Sequence, residues 1–262
     1  MTQRTIKKGN TKTVIAEGYE ALAGFALSVP ALFNGGEGET LHSGRNTVKA
    51  FTVNGSRLVV KRYKRPNIAQ RVVYTLFRKT KARRAYEYAA ELRRRGITTP
   101  REVAYIEQGD GGWFATGYFI SSCCPDPPAF GPLVRDAEFD RKLADALASF
   151  IVEMHSKGVL HGDMNLGNFL YRRDGGGDYL FTVIDTNRSK FTDRWPTRQE
   201  CIDNLKKITH RRDVLEHIVR RYAGIRGWDV DRTLAEVLAR LGRFERRHDR
   251  KNALKHALKH GK

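Results

Sequence analysis

The chain has 262 residues, with 48 Lys and Arg against 29 Asp and Glu, a formal charge of +19, and 40% hydrophobic residues. This is a globular composition, sufficient for one large domain or two small lobes sharing a core, and it excludes a disordered chain. The positive excess calls for an anionic partner.

The longest apolar stretch, Ala21 to Phe33, is broken by Gly24, Ser28 and Pro30. It falls short of the roughly 20 residues that span a bilayer, and it follows Arg4, Lys7 and Lys8 too late to form a secretory signal. No membrane-crossing helix is predicted, and a cytoplasmic protein is expected. Thr40 to Tyr63 reads as strands, with β-rich runs on either side of Asn54-Gly55. Asn-Gly between two such runs is the strongest short hairpin signal, and a turn at Gly44-Arg45-Asn46 adds a third strand, giving an antiparallel meander. After Pro66 the spacing becomes helical, with Ile68, Val72 and Leu76 on one stripe beside Val73 and Phe77, then a second helix from Ala82 to Arg95 stopped by Gly96. Two strands follow, Glu102 to Glu107 and Trp113 to Ser121, around a Gly-rich turn.

Cys123 to Pro132, with four prolines, reads as a linker. The odd count of three cysteines, Cys123 and Cys124 adjacent, gives neither a disulfide framework nor a metal site, so reduced thiols are expected. A long helix is predicted over Phe139 to Ser156, ending at Gly158. Phe169 to Tyr171 and Tyr179 to Ile184 then form a small hairpin, and from Thr197 the pattern is helical and increasingly basic. A sheet with its helix over residues 1–121, then a mostly helical 122–262, is the order of a bilobal kinase: an α+β fold with a small antiparallel-sheet N-lobe for nucleotide and a helical C-lobe for the catalytic loop and metal.

The joints carry the chemistry. His161-Gly162-Asp163-Met164-Asn165-Leu166-Gly167-Asn168 follows the long helix, and Asp185 ends the strand after it. This is H-x-D-x4-N followed by a strand-end Asp, which phosphoryl transfer uses as substrate-orienting base (Asp163), metal ligand (Asn168) and second metal ligand (Asp185). Asp and Asn five apart on one loop can serve the acceptor hydroxyl and Mg²⁺ together, while a second carboxylate completes a hard oxygen shell. Lys61 closes the strand Leu58-Val59-Val60, as a lysine pairing with ATP α and β phosphates does. Its helix partner should be an acid, and of Glu87 and Glu91 the expected partner is Glu87.

These residues resemble those of the lipopolysaccharide core kinases, which phosphorylate Kdo or heptose on a protein-kinase-like fold. The resemblance runs over about residues 40–210. It rests on Gly44-Arg45-Asn46 before the Lys61 strand, Ala82-Arg83-Arg84-Ala85-Tyr86-Glu87 with Gly96-Ile97-Thr98-Thr99-Pro100, the Gly158 to Asn168 run, and Asp185-Thr186-Asn187-Arg188. It implies an ATP- and Mg²⁺-dependent kinase whose acceptor is a sugar hydroxyl of the inner core. His-Gly-Asp-x4-Asn is shared with aminoglycoside and choline kinases and with small protein kinases, so those acceptors stay open, as does a pseudokinase that binds anionic surfaces.

No G-x-G-x-x-G is present, so phosphate cradling falls to the turn at Gly44, Arg45 and Asn46. Gly162 stands where protein kinases have the arginine that receives an activation-loop phosphate, and switching by loop phosphorylation is not expected. Asn165 stands where protein-serine kinases have lysine, which makes Arg188 the nearest cation for the transferred phosphoryl group. Lys61 to Arg95 holds 13 Lys or Arg against two acids, and Arg240 to Lys262 nine against two. The Ile68 stripe with Arg71, Arg78 and Lys79 either docks on the anionic inner-membrane surface, where the glycolipid substrate sits, or packs on the lobe's sheet beneath a solvated charged face. Nucleic acid is not an expected partner, since no helix-turn-helix, zinc finger or RNP signature occurs.

Overall fold

The computed structural model describes residues 3–260 and divides into two compact units. One comprises the residues up to Pro125 together with Thr182–Arg188; the other comprises Asp126–Phe181 together with the chain from Ser189 onward.

The first unit holds β1 (Arg4–Lys8), β2 (Thr11–Ile15), α1 (Ala23–Asn34), β3 (Glu39–Ser43), β4 (Thr47–Val53), β5 (Ser56–Arg62), α2 (Ile68–Leu76), α3 (Lys81–Arg94), β6 (Glu102–Asp110) and β7 (Trp113–Ser122). Its seven strands form one antiparallel sheet in the order β1-β2-β6-β7-β5-β4-β3. The β4–β5 hairpin turns at Asn54 and Gly55, with φ of 50° and 74°. Two successive left-handed residues match the twist of the flanking strands, and Asn-Gly adopts them with least strain. That turn sets the register in which Lys61 lies opposite Val48.

Alternation along the strands then sorts the core. Ile15, Val60, Ala104, Ile106 and Ile120 pack with Ala26, Val29 and Phe33 of α1. Their neighbours Val14, Tyr63 and Tyr105 pack with Ala82, Ala85 and Tyr86 of α3. The β1–β2 hairpin and α1 extend the predicted meander; α1 carries Pro30 in its interior, which leaves a carbonyl of the preceding turn without a backbone donor.

The second unit contains α4 (Arg141–Ser156), β8 (Val159–Leu160), β9 (Phe169–Arg173), β10 (Tyr179–Val183), β11 (Lys190–Phe191), α5 (Arg198–Leu205), α6 (Arg212–Ile225) and α7 (Val230–His260); the last two residues of β10 belong to the first unit. Leu143, Leu147, Ile151 and Met154 place the buried stripe of α4 against α6. α5 opens with a capping box in which Thr197 and Glu200 satisfy each other's backbone donors. No helix among the described residues is long and apolar enough to cross a membrane. The final residues of the basic tail, 261–262, lie outside the described residues.

The apolar stripe of α2 is turned to solvent. None of its residues is buried, and Ile68 and Phe77 are each 80% exposed, so the stripe does not pack on the sheet. The helix is seated through its polar side. Arg71 donates to the carbonyls of Phe114 (3.0 Å) and Asp110 (2.8 Å), Thr75 Oγ1 accepts from Phe114 N–H at 3.0 Å, and Tyr74 meets Phe114 edge-on.

α3 is tied to the sheet by charge. Arg93 forks onto buried Glu102 of β6, with Nη2 donating to Oε1 at 2.7 Å and Nη1 to Oε2. Removing one partner of a buried pair strands the other's charge. Arg93→Met should therefore lower stability by about 3–5 kcal/mol in urea titrations, and the double change Arg93→Met with Glu102→Leu should recover most of the loss.

Candidate functional site

In the first unit the site gathers around Asp185. β10 ends at Val183, whose N–H donates to Thr98 O (2.9 Å) and whose carbonyl accepts from Thr99 Oγ1 (2.7 Å), so the Thr98-Thr99 pair fixes where the strand stops. Asp185 then takes φ of 54°, left-handed backbone that is uncommon outside glycine and costs energy even though Asp and Asn tolerate it better than other residues. Its Oδ1 accepts from Asn187 Nδ2 at 2.6 Å and lies 2.7 Å from Lys61 Nζ. The short 3₁₀ turn Thr186–Arg188 packs on α3 and leaves Arg188 exposed at its end.

Lys61 therefore pairs with Asp185, and the expected pairing with Glu87 is replaced. Glu87 accepts from Lys79 Nζ and Arg83 Nε, both at 2.8 Å. Burial opposes its charge, but these two donors hold the carboxyl below its ordinary range. Glu87 and Arg83 are one turn apart on α3, which turns the acid to the flank carrying Lys79.

Gly44, Arg45 and Asn46 join β3 to β4. Asn46 Oδ1 accepts from Lys64 N–H at 3.1 Å and Gly44 N–H donates to Asn46 O, so the asparagine braces the turn against the end of β5. A side chain at Gly44 would meet the His42 ring at 2.9 Å. Gly44 and Arg45 line a cavity of about 490 Å³ with Arg62, Tyr63, Lys64 and Arg65.

In the second unit, the loop from His161 to Asn168 is held by its own side chains. Asp163 N–H donates to His161 Nδ1 (3.1 Å), Asn165 Nδ2 to Asp163 Oδ1 (3.3 Å) and Asn168 Nδ2 to Asp163 O (2.8 Å). The last bond fixes the Asn168 amide and leaves its oxygen as the available acceptor. The loop is also clamped from α5 and the turn after it. Asn204 Nδ2 donates to His161 O at 2.6 Å, Lys207 Nζ to Gly162 O at 3.3 Å, and Leu166 N–H to Ile208 O at 3.2 Å. Each unit thus presents a hard oxygen donor of the kind Mg²⁺ takes, the Asp185 carboxylate in the first and the Asn168 amide oxygen in the second.

Residues 131–224 match the family described as lipopolysaccharide kinase (Kdo/WaaP). The chain is 25% identical over 193 residues, 62% of its own length and 71% of the relative's, to the lipopolysaccharide core heptose(I) kinase WaaP of Pseudomonas aeruginosa. The solved structure of WaaP in complex with acyl carrier protein shares the fold, with a TM-score of 0.58 and 19% identity over 91% of this chain and 98% of that one. These matches support the lipopolysaccharide core kinase family, and the chain is a kinase.

In this kinase the His161 loop rests on a buried polar chain that crosses three helices. Tyr222 of α6 meets His155 Nδ1 at 2.8 Å, His155 Nε2 meets Asn204 Oδ1 at 3.1 Å, and Asn204 reaches the His161 carbonyl. Because Asn204 spends its NH₂ on that carbonyl, its oxygen faces His155, which must donate from Nε2 and accept from Tyr222 O–H. Only neutral imidazole satisfies both. Burial pushes the His155 pKa down to about 4, with the Asn204 bond working weakly the other way.

The unfolded chain protonates His155 near 6.5 and the folded kinase near 4, so between these values the unfolded state binds more protons and folding stability falls as pH falls. At about 1.4 kcal/mol per pKa unit the loss approaches ~3 kcal/mol by pH 4. Urea titrations of the parent and of His155→Gln from pH 7.5 to 4 should show a steeper acid loss in the parent by about that amount. Parallel pH profiles would contradict the neutral assignment.

Proposed function

We propose that this kinase transfers the γ-phosphoryl group of ATP to a hydroxyl of Kdo or heptose in the lipopolysaccharide inner core. The observation that carries the reading is the held pair of Lys61 and Asp185, 2.7 Å apart, with Asp185 on strained backbone at a strand end. Strain of this kind persists where a side chain must be aimed. The acceptor class is supported by the family match over residues 131–224 and by the heptose kinase relative.

In this reading Asp163 orients the acceptor hydroxyl and takes its proton as the hydroxyl oxygen bonds to phosphorus and the bond from phosphorus to the ADP oxygen breaks. Lys61 binds the α and β phosphates, the Gly44-Arg45 turn braced by Asn46 covers the nucleotide, and Arg188 offsets charge on the transferred group. Asn168 and Asp185 are the protein ligands for Mg²⁺, which supplies charge neutralisation at the phosphates when bound. Choline-type acceptors fit poorly with a chain of +19, since a cationic substrate would be repelled.

The exposed face of α2 is the membrane-facing surface in this reading, with Ile68, Leu76 and Phe77 entering the interface and Lys64 and Arg78 beside them on the anionic cytoplasmic leaflet. Arg71 and Lys79 are engaged within the protein and contribute less. Vesicles of phosphatidylglycerol and phosphatidylcholine should sediment the kinase at low salt and release it as salt rises. Changing Leu76 and Phe77 to Ser should abolish sedimentation while the melting temperature stays unchanged; retained binding would remove α2 from the membrane face.

The activity test is direct. Incubated with ATP, Mg²⁺ and Kdo- or heptose-terminated core glycolipids, the kinase should add one phosphate to one of them by mass spectrometry. Asp163→Asn should lower turnover by ~10²-fold or more with ATP affinity retained. Turnover within about threefold of the parent would rule out Asp163 as the base.

A further inference from the structure

α3 faces Asp185 with cations. Lys81 and Arg84 lie one turn apart near the N-terminal end of α3, both half-buried, and among the described residues neither side chain makes a hydrogen bond or ion pair. The Nε of Arg84 is wholly buried without a partner. The same helix packs on the Thr186–Arg188 turn, which carries Arg188 immediately after Asp185 and Asn187. Arg45, also without a hydrogen-bond or ion-pair partner among the described residues, stands on the β3–β4 turn of the same unit.

These groups feel one another. The Lys81 ammonium is disfavoured first by burial and then by Arg45, Arg188 and Arg84, with Asp185 as its compensating acid. Buried Tyr63, its hydroxyl pushed up by burial and then by Asp185, is drawn back by Arg84. Asp185 is moreover already engaged by Lys61. Like charges held together with an unpaired buried donor among them are costly unless an anion occupies the position.

We propose that Lys81 and Arg84, with Arg45, form a clamp for a phosphoryl group, Arg84 presenting its planar fork to two phosphate oxygens and Lys81 adding a point charge. The clamp rests on the phosphotransfer reading for its place in the reaction, and it assigns to α3 a part taken in other kinases by an acid that pairs with the strand lysine. A guanidinium fork matches phosphate geometry, and a cation beside it is the arrangement that binds polyphosphate. The phosphoryl group is either that of the nucleotide or one already borne by the glycolipid acceptor, and the nucleotide is the source the neighbouring Lys61 favours.

The test uses Arg84→Gln, Lys81→Gln and Arg84→Lys in the full chain, with melting temperature as the check on folding. Calorimetry with MgATP, inorganic tripolyphosphate and adenosine reads the clamp directly. Each Gln variant should bind MgATP and tripolyphosphate about tenfold more weakly with adenosine unaffected, and Arg84→Lys should recover only part of the loss. If the weakening instead appears only in the KM for a phosphorylated glycolipid, the clamp stands with the acceptor as its source. Tripolyphosphate and MgATP affinities and both KM values within twofold of the parent in the two Gln variants would overturn the clamp, as would a parent that binds neither anion. A parent that binds tripolyphosphate through Lys81 and Arg84 yet phosphorylates no glycolipid would overturn the proposed reaction and leave the clamp standing.

Discussion

Asp185 occupies a left-handed backbone conformation that is costly outside glycine, and the surrounding unit is arranged to hold it there. The Thr98-Thr99 pair takes the last backbone bonds of β10, the 3₁₀ turn Thr186–Arg188 is packed on α3, Asn187 holds the carboxylate from its own turn, and Lys61 meets it from β5. Each of these depends on something further away. Lys61 is aimed by the register that Asn54-Gly55 sets, and α3 is placed by the Arg93–Glu102 pair and by the small Ala82 and Ala85, which let the helix approach the sheet closely. A strained residue held by four independent supports loses its geometry only if several fail together, which suits the metal-ligand role proposed for Asp185.

The second unit solves a similar problem by different means. Its loop from His161 to Asn168 forms a single 3₁₀ turn, and other backbone groups along it are met by side chains: His161, Asn165 and Asn168 from within, Asn204 and Lys207 from α5 and the turn after it. A polar chain in a helical core is tolerable only when every member is satisfied. Tyr222, His155 and Asn204 meet that condition with one tautomer of one histidine, which ties loop geometry to the charge state of a residue far from it in sequence.

The legible parts were those with local signals. Asn54-Gly55 marked the hairpin, Gly96 and Gly158 marked helix ends, and the spacing from His161 to Asn168 marked the loop, because each depends on residues within a few positions of one another. The β1–β2 hairpin was not legible, since Arg4–Lys8 has Ile6 as its lone apolar residue, and α1 was obscured by Pro30. Glu87 was assigned to Lys61 because two acids one turn apart carry no sign of which flank meets a distant strand; Lys79 and Arg83, adjacent in sequence, took it instead. The Tyr222–His155–Asn204 chain joins residues from three helices, and no periodicity reports such a contact. Nothing local marks Thr182–Arg188 as part of the first unit either.

The positive charge is not spread evenly once pairing is considered. Many cations are committed to acids that brace the fold, among them Arg57 to Glu39, Arg65 to Asp110, Arg95 to Glu91, Arg198 to Glu236 and Arg240 to Asp203. With 48 cations and 29 acids a surplus must remain, and where it remains is informative. Arg78 stands beside an apolar face turned to solvent, while Arg45, Lys81 and Arg84 stand near Asp185. Self-repulsion would favour dispersing such charges over the surface. In the proposed reading the first group, beside an apolar face, serves an extended anionic surface, and the second, half-buried and beside a carboxylate, serves a compact phosphoryl group.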